Sequence, residues 1–170
     1  MQLESLLVQK KKAIMDEWFN LLIETYPAET GQFLKRQSDP FANPVGSTTR
    51  RALDAVFDEL MSGMDPETLS AALDPIIRIR AIQNFTPSQA LAFVFLLKQA
   101  VRNKIQSVVD KHRLAGDLLS FETKIDQLGL FGFDIYMKCR EKIYQLMEKE
   151  VKNRALRVFE QEGLIHNKPA

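Results

Sequence analysis

Cysteine, tryptophan and histidine are nearly missing from this 170-residue chain, which has one, one and two of them. A lone thiol, Cys139, can neither close an internal disulfide nor share a metal cluster with a second sulfur, and a reducing compartment is expected. His112 and His166 have no cysteine or paired carboxylate at ligand spacing, which argues against a zinc site or a hydrolytic triad. Charge of one sign is not in excess either: 23 basic side chains meet 22 acidic ones, for a formal net charge of +1. No overall field exists to hold nucleic acid or an anionic membrane. The longest hydrophobic run, Ala90 to Leu97, falls far short of the roughly 20 residues that a membrane helix requires. The N-terminus, with Gln2 and Glu4, lacks the layout of a signal peptide, so a cytoplasmic location without membrane contact is expected. There is no glycine-rich phosphate loop, and the adjacent acids Asp16-Glu17 and Asp58-Glu59 splay apart on a helix. No enzymatic activity, metal or cofactor is expected.

What is present is helical punctuation around apolar stripes. Leu7, Ile14, Trp18, Leu21 and Leu22 recur at helical spacing from Leu3 to Thr25, where Tyr26-Pro27 ends the run. A short helix over Glu29 to Arg36 should follow, and then a structured loop, Ser38 to Ser47, pinned to the core by Phe41. Ser47 or Thr48 can cap the next helix, which shows Leu53, Val56, Phe57, Leu60 and Met61 before Gly63 closes it. Asp65 with Pro66 starts another helix, to about Gln83. Its Ile77-Arg78-Ile79-Arg80 alternates like a strand, but four residues do not make a sheet.

Thr86-Pro87-Ser88-Gln89 is a capping box with proline in the first turn, opening a helix to about Leu114. Its Ala90 to Leu97 block is apolar all round, which a helix tolerates only when protein encloses it. After a break at Ala115-Gly116, Asp117 caps a final helix to about Gln161. The seam Phe121, Ile125, Leu128, Gly132, Ile135, Cys139 repeats every 3.5 residues or so. With Phe93 and Leu97 these are the candidate core or dimer residues. The far half, carrying Ile143, Leu146, Met147, Val151, Leu156 and Phe159, needs a partner to bury its stripe, and Glu162 to Ala170 is expected to be a flexible tail.

Tyr26-Pro27, Phe33-Leu34, the Phe41 to Gly46 run, and Ile77 to Gln83 followed by Phe85, Pro87, Ser88, Gln89 and Ala90 resemble the N-terminal domain of RsbRD-type RsbT co-antagonists. That resemblance implies an all-α, globin-like sensor domain over residues 1–161, with about six helices and no haem. It also implies a homodimer that feeds a signal to a regulatory protein partner. In agreement, the Pro66 to Gln83 helix has no His, Cys, Tyr or Met to hold haem iron. Proteins of this type often carry a C-terminal STAS domain that governs kinase binding. The chain as read has none, so action on a separate partner is expected. The candidate ligand or partner site is Arg78, Arg80, Gln83 and Asn43, near a helix N-terminus that attracts anions. A second reading is a carrier of a small apolar or anionic molecule held between the helices.

Overall fold

The computed structural model describes residues 2–36, 42–83 and 85–162. Their regular structure is helical: α1 (Leu3–Glu24), α2 (Ala28–Arg36), α3 (Pro44–Ser62), α4 (Pro66–Ile82), α5 (Pro87–His112) and α6 (Ala115–Gln161). No strand occurs among the described residues, so the Ile77 to Arg80 alternation is helical. The chain divides into two compact units, 1–136 and 137–170.

Three helix starts are set by local chemistry. Asp65 accepts from the Thr68 amide at 2.8 Å, and Thr86 and Gln89 close a reciprocal capping box around Pro87. At α3 the structure corrects the expected start. Asn43, not Ser47 or Thr48, is the cap: its Oδ1 accepts from Gly46 N at 2.9 Å and its Nδ2 donates to Leu34 O at 2.9 Å. The second bond explains the choice, because only an amide can cap α3 and hold the end of α2 together. Pro44 then occupies the first turn, so the helix begins inside the segment expected as loop. Phe41 and the 163–170 tail lie outside the described residues.

Gly63 caps the end of α3 as expected, whereas α5 ends at His112, ahead of the expected Ala115-Gly116 break. The left-handed residue after α3 is Met64, with φ 59°, and that after α5 is Arg113, with φ 55°. Ala115 and Gly116 already belong to α6, with Asp117 in its first turn instead of at its cap. At both breaks the chain turns left-handed just after the helix, which lets the amides that follow satisfy the last carbonyls. The amides of Met64 and Leu114 reach back to Glu59 O and Val109 O.

In the first unit α5 is central. α1 lies along it, fixed by Trp18 Nε1 donating to Phe93 O at 2.6 Å. α3 and α4 pack together beside them, with Leu53, Val56, Phe57, Leu60, Leu73, Ile76 and Ile77 buried. Burying such side chains contributes roughly 1.5–3 kcal/mol each. Glu17 on α1 accepts from Asn103 at 2.8 Å and pairs with Lys104 at 2.9 Å on α5. Those two bonds, Asn103 first, hold its carboxyl below the usual carboxylate range, and the Thr68 hydroxyl and amide do the same for Asp65.

A carboxylate whose pKa is depressed in the folded state stabilises above its ordinary pKa and loses that contribution as pH falls through the folded value. Thermal melts should therefore show a falling Tm between about pH 5 and about pH 3. In Glu17→Gln the midpoint at neutral pH should drop and the slope should be shallower. A Tm flat across that range would refute this role for both carboxylates.

Candidate functional site

The α4–α5 junction separates the residues grouped from the sequence. Arg78 and Arg80 are two residues apart and so point to nearly opposite sides of α4. Arg78 is exposed and grips Asp74 one turn back, through Nε at 3.1 Å and Nη2 at 2.8 Å. Gln83 is exposed and ends α4, while Asn43 is spent on its cap. Arg80 alone is unusual. It is fully buried, Nη1 donating to Gln89 O at 3.1 Å and Nη2 to Thr25 Oγ1 at 2.8 Å. Its guanidinium lies 4.7, 5.2 and 5.4 Å from the ring centres of Tyr26, Phe85 and Phe93. Among the described residues no carboxylate forms a salt bridge with it, and its Nε is buried without a hydrogen bond. Burial accordingly lowers its pKa from the ordinary arginine range, with the neighbouring Tyr26 opposing. Aromatic faces stand where a counter-ion would be expected.

The second feature is the face shared by α5 and α6. The helices run antiparallel, as pairs Leu91 with Gly132, Phe95 with Gly129, Lys98 with Asp126 and Arg102 with Glu122 demonstrate. Two glycines permit the close approach. A Cβ on Gly129 would fall 2.3 Å from Phe95 Cζ, and one on Gly132 would fall 3.2 Å from Leu91 Cδ2. Glu122, 5% exposed, accepts Nε and Nη2 of Arg102 at 2.6 and 2.8 Å, which raises the Arg102 pKa. Such a forked pair fixes geometry as well as charge.

The expected seam is mostly interior. Phe93, Leu97, Phe121, Ile125, Leu128, Gly132 and Ile135 are buried within the single chain, and Cys139 is half-buried. The Ala90 to Leu97 block is not enclosed all round as expected. Phe95 is 44% exposed, and near it on the α6 surface Phe133 is 44% and Leu130 72% exposed. Leu130 and Phe133 fall between the seam positions Leu128, Gly132 and Ile135, so the periodicity of the seam does not pick them out.

Grooves elsewhere carry no convergent chemistry. The one between α1 and α3, about 460 Å³, is bordered by Val8, Lys11, Asp16, Phe19, Arg50 and Asp54, with Arg50 stacked 3.5 Å over Phe19. Among the described residues no group of His, Cys, Asp and Glu could hold a metal, and no helix is long and apolar enough to cross a membrane.

The profile of the RsbT co-antagonist protein rsbRD N-terminal domain matches residues 12–151. The chain belongs to this family. An uncharacterized protein of Archaeoglobus fulgidus is 27% identical over 143 residues, covering 82% of this chain and 83% of its own length. No solved structure matches. The rsbRD match runs from within α1 into α6 and so takes in the Arg80 cage, Gly129, Gly132 and the Phe95 patch.

In this rsbRD N-terminal domain the α5–α6 spacing is sensitive to side-chain volume at Gly132. Gly132→Leu should lower the denaturation free energy by about 2 kcal/mol through overpacking against Leu91 and Ile77. Gly132→Ala should stay within about 1 kcal/mol of the parent, since a gain in helix propensity offsets a small shift of Leu91. Equal stability of both variants by urea titration would mean that the close approach does not matter.

Proposed function

We propose that the chain is a non-enzymatic signal-input module, a globin-like domain without haem, that acts through self-association and a regulatory protein partner of the stressosome type. The observation that carries this reading is the exposed Phe95, Leu130 and Phe133 patch on the α5–α6 face. Apolar side chains of this size, grouped beside the ion pairs Lys98–Asp126 and Arg102–Glu122, have the apolar centre and polar rim of an interface. The family's association with the stressosome supports a protein partner and a cytoplasmic setting. Absence of haem is supported by α4, which turns Leu69, Leu73, Ile76, Ile77 and Arg80 to the core and has no iron ligand.

Light scattering at micromolar concentration should give a dimer mass, and Phe133→Glu should give a monomer with unchanged helical circular dichroism. A monomeric parent, or a Phe133→Glu dimer as tight as the parent, counts against this face.

A second reading, a carrier of a small oxyanion, is favoured by the orphaned Nε of Arg80. The Nε and Nη2 edge is the fork that holds carboxylate or phosphate oxygens. Tyr26 and Phe85, both half-buried and edge-to-face at 5.6 Å, would have to swing aside to admit one. On this reading, millimolar formate or inorganic phosphate raises the Tm of the parent by a few degrees and leaves Arg80→Met unmoved. Equal shifts in both proteins would rule it out.

A further inference from the structure

The second unit, taken by itself, is a helix with its own unsatisfied stripe. From Met137 to Glu162 no side chain is buried. Met137, Tyr144, Met147, Val151 and Val158 are 38, 57, 57, 66 and 54% exposed. Together with Arg140 and Arg154 they form an unbroken alternation of three- and four-residue steps: 137, 140, 144, 147, 151, 154, 158. A stripe of period 3.5 stays on one side of a helix only when that helix winds around another with the same period.

We propose that residues 137–162 pair with the same segment of a second copy of this chain as a parallel, in-register coiled coil. This rests on the self-association reading above and names its partner and orientation for the second unit. The flanking charges select both. With Met137 at position a, the e positions are Glu141, Glu148, Ala155 and Glu162, and the g positions are Ile143, Glu150 and Arg157. A parallel pair sets each g beside the partner's e five residues ahead. Ile143 then meets the partner's Glu148, Glu150 meets the partner's Ala155, and Arg157 meets the partner's Glu162. Among these g and e pairs no like charges face each other, and the one acidic g meets the one neutral e. An antiparallel pair sets e against e, so an acidic column would face itself.

The two d-position arginines fit the same arrangement. Arg140 Nη2 donates to Tyr144 Oη at 2.7 Å with the guanidinium 4.9 Å from that ring centre, and in the parallel pair it lies beside the partner's Glu141. Arg154 is held by Glu150 on its own helix at 2.5 Å. Charged residues at core positions fix register and reduce affinity, which suits a reversible contact. Leu146, Leu156 and Phe159 are exposed outside this stripe and take no part in the pairing.

The test uses the full chain carrying Cys139→Ser, with Tyr144→Cys or Val151→Cys at a positions and Lys149→Cys at an outward f position. Under mild oxidation the first two should cross-link into covalent dimers at least several-fold more than the third. Absence of cross-linking at 144 and 151, in protein that light scattering finds dimeric, overturns the coiled coil while the self-association reading stands. Equal cross-linking at 149 and 151 overturns the register. A monomeric parent overturns both, and the stripe then belongs to a helix of another protein. Independently, Ala155→Lys should tighten the dimer and Ala155→Glu should loosen it, each by roughly two-fold. An unchanged or reversed order overturns the parallel orientation.

Discussion

The first unit depends on keeping α5 surrounded while every helix that touches it remains satisfied. α5 carries Phe93, Val94, Leu97, Ala100, Val101 and Ile105 in its interior face, and each neighbour reaches it by a different device. Trp18 gives an apolar body and an indole N–H that must find an acceptor, which the Phe93 carbonyl supplies. Arg80 reaches the first turn through the Gln89 carbonyl. α6 comes close because Gly129 and Gly132 present no side chain. Three contacts of such different chemistry cannot slide together, so they fix the helices' positions as well as their burial.

Arg80 shows what that constraint tolerates. An isolated buried guanidinium is costly unless its charge and donors are compensated. Here two donors are spent on Thr25 and Gln89, three rings supply negative faces, and one nitrogen is left over. Thr25 and Tyr26 belong to the turn after α1, and Phe85 belongs to the turn before α5. The arginine thereby ties two chain reversals to the end of α4, a role that a leucine of similar volume could not fill because it has nothing to donate.

Much of this was legible in the sequence where a residue has one dominant local use. Asp65, Thr86 and Gln89 cap as their spacing implies, and the apolar periodicities fall on the buried faces of α1, α3, α4 and α5. The cap at Asn43 was not legible because its value lies in a second bond, to Leu34, that no local pattern encodes. Gly63 closes α3 as its residue type implies, but Gly116 lies inside α6, since a glycine only permits a break. At Met64 and Arg113 the need to satisfy helix-end carbonyls overrode the strain of a side chain at positive φ. Of the candidate site, Arg80 was visible as a residue, but its cage was not. Tyr26, Phe85 and Phe93 meet only through tertiary packing.

The long final helix shows why a recognised seam can leave open whether it serves the core or a partner. Helix α6 carries two stripes of nearly the same period in different phase. One, Phe121 through Ile135, is the shorter but free of charged residues, and it is consumed inside the single chain against α4 and α5. The other is mixed with Arg140, Arg154 and Tyr144, so its hydrophobic signal is diluted in the sequence. Dilution follows from its setting. A surface exposed in the monomer must remain soluble, whereas an interior seam has no such constraint. Period therefore identifies that a helix has a partner, while composition along the stripe separates a partner within the chain from one outside it.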